Sequence, residues 1–301
     1  MTQSHEQPQD RPVWQQRLLD RIQDLSAHRA RLLREGYEHP PGAGDVPVLA
    51  WRTQLLHLGA DRGEVETHAR AIGIGEDDIA AERAAGGHGR LAAGPGPDVD
   101  VVREHMVTGV ANDVWQMQHM AVLDVARRLR RITTTPRFEP GPETVAQFER
   151  NMGAFWLRAG NVADAIGLTA DEHAGMWATT SSEWRRIVDA TAQTYDSEGI
   201  EERWRIYARS GIESELVRDA TAMRLPLERV LSEHVTRIPA PKTMKVAAAA
   251  AFVEQPTVGL GEVDESVARA LPVEADGASW EPPSSGAPEP PDRGRDTGIA
   301  P

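Results

Sequence analysis

Six arginines offer the clearest chemistry in this chain. Arg127, Arg128, Arg130 and Arg131 crowd into five positions, and Arg185 and Arg186 are adjacent farther on. A guanidinium is planar, always charged and able to bond two phosphate oxygens at once. The six are therefore candidates for DNA-phosphate contacts, with Arg137, Arg150 and Arg158 between the two groups. A second reading stands beside that one. Cations in the last turn of a helix oppose its dipole favourably and pair with acids of the same chain.

Other chemistry finds little support. The chain has no cysteine, which removes disulfides, thiolate nucleophiles and Cys-ligated metals. His105 and His119 sit close to one helical face but lack the HExxH or Glu-x-x-His spacing that builds a metal site. Glu104-His105 and Glu233-His234 are adjacent pairs, whose members point to different faces. Gly73-Ile74-Gly75 and Gly86-Gly87-His88-Gly89 follow no strand and carry no Lys-Ser/Thr, so they read as turns rather than phosphate loops. Ser181-Ser182 has no His/Asp motif to activate it. No catalytic constellation emerges. We expect no enzyme activity, no cofactor and no metal.

The glycine at position 73 belongs to a pattern that recurs. Ala69-Arg70-Ala71-Ile72-Gly73-Ile74 aligns without gaps to Ala163-Asp164-Ala165-Ile166-Gly167-Leu168. A looser copy runs Ala220-Thr221-Ala222-Met223-Arg224-Leu225. In each, a small residue is followed by an apolar residue, then Gly or Arg, then another apolar residue. An acid comes next at Asp77, Asp171 and Glu228. A helix that ends, turns tightly and restarts needs this order. The spacing resembles the helix-turn-helix superfamily over about 20 residues at each copy, which implies DNA reading by the second helix. Two departures weigh on that implication. The second helices open on Glu76-Asp77-Asp78 and Asp171-Glu172, acids that repel phosphate, and Arg224 stands where the third turn calls for glycine. Helix-turn-helix pairs also serve as plain packing units in all-α proteins.

The elements around these residues read as helices throughout. Residues 1–11 are polar and expected to be disordered. Over 12–37, Trp14, Leu18, Ile22, Leu25 and Leu32 form one apolar stripe of 3.6-residue period, suited to a bundle or a short coiled coil. Residues 46–90 predict three short helices, broken at Gly59 and Gly73, with Gly86 opening a Gly/Ala/Pro linker. Residues 98–132 predict one helix about 50 Å long, at ~1.5 Å per residue. Residues 138–238 predict a helical domain whose core holds Trp156, Trp177, Trp184 and Trp204, with Trp115 of the preceding helix. Pro142 opens its first helix, which runs through Trp156, two further helices flank Gly167, and a last one spans Leu227 to Val235. From 239 to 301 the Pro, Gly and acid content predicts a disordered tail, apart from an Ala-rich helix over 243–254.

Net charge is −13, and the stretch from Phe252 to Pro301, with ten acids and three arginines, contributes −7. The amino-terminal stretch has no secretory pattern, and no apolar run approaches the roughly 20 residues a bilayer needs. Those signs predict a cytoplasmic protein, and the Arg/Ala/Gly-rich, Lys-poor usage looks like a high-GC bacterial genome. The chain is thus expected to be all-α and to bind a macromolecule without catalysis. DNA is the most specific partner. A protein partner or self-association is the alternative, through the 12–35 stripe or a methionine face at Met106, Met117 and Met120.

Overall fold

A computed structural model describes residues 11–37, 46–93, 100–133, 139–226 and 238–253. Its ten helices are α1 (Val13–Glu35), α2 (Val46–Ala71), α3 (Glu76–Gly87), α4 (Val101–Thr133), α5 (Pro142–Ile166), α6 (Ala170–His173), α7 (Ser181–Thr194), α8 (Ser197–Tyr207), α9 (Gly211–Ala222) and α10 (Pro241–Val253). No strand occurs among the described residues. None of these helices is long and apolar enough to cross a membrane.

The long helix α4 is the one around which most of the other described helices pack. From Asp113 to Arg127 almost every side chain of α4 is buried, because α5, α7, α8, α10 and α1 pack around it. A helix covered on all sides must satisfy its polar residues internally. Asp113 accepts two hydrogen bonds from Arg158, at 2.8 and 2.5 Å. Gln118 donates to the Met176 carbonyl and accepts from the Ala178 amide. Met117 and Met120 are fully buried in this core and Met106 is half-buried, so two of the three residues of the expected methionine face are packing.

All three copies of the repeated pattern end a helix in the same way. The Ile74 amide bonds the Ala69 carbonyl and Gly73 bonds Arg70. Leu168 bonds Ala163 and Gly167 bonds Asp164. Leu225 bonds Ala220 and Arg224 bonds Thr221. This paired 6→1 and 5→2 arrangement is the Schellman motif, which needs a left-handed residue after the helix. Gly73, Gly167 and Arg224 supply it at φ 91°, 59° and 57°. The third turn therefore forms without a glycine. The helices after the turns are unequal. The first turn leads into the twelve-residue α3, while the second leads into α6, a single turn of four residues.

Other expected boundaries shift. α2 runs unbroken through Gly59 and Gly63, because a helical glycine costs only about 1 kcal/mol and packing on α1 outweighs it. Gly86 is inside α3, not in a linker. A Cβ there would lie 2.1 Å from the Gln23 carbonyl oxygen and 2.7 Å from the Ser26 Cβ, so glycine is what lets α1 and α3 approach. From Pro142 to Ile166, α5 is likewise one helix where two were expected. α10 begins at Pro241 and buries Met244, Ala248 and Ala251 against α4 and α7, so the helical core extends past position 239. The expected helix over Leu227–Val235 and the tail beyond 253 lie outside the described residues.

The described helices fall within one compact unit, Met1–Gln255. The 46–90 and 138–238 segments share a direct contact between α2 and α7. There the Thr67 and Thr194 hydroxyls bond at 2.7 Å.

Candidate functional site

The structure distributes the six candidate arginines unequally. Arg127 is 3% exposed, with its guanidinium 4.2 Å over the Trp204 ring and beside Asp124. Arg128 is 57% exposed and pairs with Asp124 at 2.6 Å. Asp124 also faces Lys245 of α10, at 3.6 Å. This end of α4 is therefore held together by a buried carboxylate among cations, the arrangement a buried charge requires. Arg130 is half-buried on the same turn, and the side chain of Arg131 lies outside the described residues. Arg185 and Arg186 are exposed on α7. The Arg186 guanidinium lies along the Gly73 turn, 3.5 Å from where a Cβ would sit. Arg158 is absorbed by Asp113 and Asp219.

The cation of α3 is also engaged. Arg83 donates to Glu66 at 2.8 and 2.9 Å, and Arg70 bonds Glu76 at 2.8 Å. These pairs fix the angle between α2 and α3. They leave Glu76, Asp77 and Asp78 at the start of α3, where the acids favour the helix dipole. At the second turn, Arg103 donates to the Ile166 carbonyl at 2.6 Å and to both oxygens of Glu172. The Arg103 bonds, with help from Thr169, hold the Glu172 carboxyl down at about 2.

A column of stacked rings crosses the centre. His68 lies 4.6 Å from Trp115 at an interplanar angle of 4°, and His119 lies 5.0 Å from the same indole at 11°. Trp14 continues the stack beyond His68, and Tyr195 and Tyr207 close it beyond His119. Tyr207 donates to Gln116 and meets the His119 Nδ1 at 3.1 Å. Burial removes the hydration that an imidazolium needs, and pushes both histidines down to about 3. The same loss of water pushes the Tyr195 hydroxyl up to about 12. His105 is exposed and His119 is enclosed, so the two do not converge. No group of three metal-ligating side chains occurs among the described residues.

Apolar side chains are exposed at Leu91, Val102 and Val246, and also where α1 and α2 run past the other helices. Val48, Trp51, Leu55, Leu58, Arg62 and Val65 are spaced for one side of α2. That side meets α1, where the Trp51 indole donates to the Leu32 carbonyl at 3.4 Å and Val65 packs against the cluster that holds Leu19 and Ile22. A second stripe, Leu49-Thr53-Leu56-Ala60-Gly63-Thr67, steps 4-3-4-3-4 and carries no charge. Only its last member, Thr67, is covered, by Thr194 at the end of α7. Leu49 is left 58% exposed and Leu56 72%. Leu33, seven residues after buried Ser26 on the inner face of α1, is 47% exposed. These leucines continue core stripes beyond the helices that cover them. The heptad step in α2 was readable from sequence, but the expected break at Gly59 cut it in two.

No family model, characterised protein or solved structure matches the chain.

Proposed function

We propose that this chain is a non-enzymatic, cytoplasmic assembly factor that binds a protein partner through the exposed end of the α1–α2 hairpin. One observation carries the reading. Leu33, Leu49 and Leu56 extend core stripes into solvent at 47%, 58% and 72% exposure, and exposed apolar surface of this kind marks a contact site. Half-buried Trp51 and exposed Arg52 beside them are residue types enriched in protein interfaces.

DNA binding has less behind it. Arg127 is enclosed under Trp204, Arg83 is spent on Glu66 and Glu76, and α3 opens on three acids. Among the candidates whose side chains are described, Arg128, Arg185 and Arg186 are exposed and Arg130 is half-buried.

The deciding experiment pairs two measurements on the full chain. In affinity capture from its own cell extract, wild type should retain a protein partner that the Leu49→Glu/Leu56→Glu variant loses. In fluorescence anisotropy with random duplex DNA, neither form should bind at low salt. Tight duplex binding that collapses as salt rises, and is untouched by the leucine substitutions, would replace this reading with the DNA one.

A further inference from the structure

The uncharged stripe of α2 has a property beyond its exposure. Its uncovered part runs Leu49, Thr53, Leu56, Ala60. Laid antiparallel on a copy of itself, Leu49 meets Ala60 and Thr53 meets Leu56. Each large side chain then faces a small one, at every contact layer. A two-fold pair demands this self-complementarity, because the same patch must serve as both knob and hole. The 4-3 step is the spacing of helices packed side by side at a shallow angle. Gly63, at the next step, lets the end of the second helix come close. A Cβ built there meets nothing within 4 Å.

Covering by α7 sets where the pairing would stop. α7 runs antiparallel to α2, with Thr194 against Thr67 and Arg186 against Gly73, and ends there. A second helix lying antiparallel on the uncovered stripe would occupy the continuation of α7 along α2. The stripe has no cation for phosphate and no acid for a basic segment. Its chemistry suits an uncharged helix face of equal length.

Resting on the hairpin reading of the function, we infer that this surface is occupied by a second copy of the chain, in a two-fold antiparallel α2–α2 pairing centred between Thr53 and Leu56. About three helical turns per copy make a small interface, so the dimer should dissociate on dilution.

The test is sedimentation velocity of the full chain from about 1 to about 200 µM, a range that brackets interfaces of this size. Wild type should shift from monomer to dimer with concentration. Leu56→Glu should remain monomeric throughout while its helicity and melting temperature match wild type, since the side chain is 72% exposed. Register is read by cross-linking, which the absence of native cysteine makes clean. Chains carrying Leu49→Cys mixed with chains carrying Ala60→Cys should form the mixed disulfide far faster than either forms its own. In this register Leu49 and its own copy are about 16 Å apart along the axis. A monomer at every concentration would overturn the inference, as would a dimer indifferent to Leu56→Glu or equal rates for all three disulfides. If self-pairing fails while the leucine variant still loses a captured protein, the hairpin reading stands and its occupant is a different chain. If neither effect appears, both fall.

Discussion

His68 and His119 carry a pH dependence whose sign comes from their burial. Their folded values lie at about 3, against about 6.5 in an unfolded chain. Above about pH 6.5 both states hold the rings neutral, and the pair adds no pH dependence. As pH falls below that value, the unfolded chain takes up two protons that the folded chain refuses until about pH 3. Stability should therefore fall between about pH 6.5 and 3, by up to about 1.4 kcal/mol per pH unit for each histidine. Urea midpoints at stepped pH measure it. His68→Gln should lose roughly half of the wild-type slope in the upper part of that window, and an unchanged slope would show that the stack is not what titrates. The sequence singled out His119 only beside His105 and did not single out His68, since two histidines 51 positions apart are brought onto one indole only by packing. The arginines were legible only as a group. Which of them is buried against Trp204 and which faces water depends on how α8 and α10 close over α4.

Element boundaries were most legible where backbone geometry decides them. The Schellman turns at Gly73 and Gly167 come from local chemistry, because a left-handed residue between two apolar ones ends a helix whatever surrounds it. Arg224 takes the same conformation at a cost that the turn's two hydrogen bonds and the buried Ala220 offset. Glycines inside helices misled for the opposite reason. Gly59 and Gly86 carry the same local signal, but tertiary packing overrides it at both. Gly86 is the sharper case, because the α1–α3 approach leaves no room for a methyl group. Gly86→Ala should destabilise the protein by about 2–4 kcal/mol, in the range of core overpacking combined with backbone displacement. Thermal melts would show it, and a melting temperature equal to wild type would mean that α1 and α3 stand far enough apart to admit the methyl.

At the scale of the whole molecule, the described helices should unfold together. The ring column joins α1, α2, α4, α8 and Tyr195 at the end of α7 through one stack, and the α2–α7 contact ties the 46–90 segment to the 138–238 segment. Calorimetry should therefore give one cooperative transition, with calorimetric and van't Hoff enthalpies equal. Two resolved transitions would support the separate modules that the Gly/Ala/Pro stretch suggests. Composition and periodicity by themselves determined the helical class, the long central helix and the repeated turn, because each depends on residues within a few positions of one another. Only the tertiary structure decided which stripes are covered. Leu19 and Leu33 look alike in sequence, as do Thr67 and Leu56 by position, and what separates them is where α3 and α7 stop. The candidate contact surface is the difference between the length of a stripe and the length of its cover, and no single helix encodes that difference.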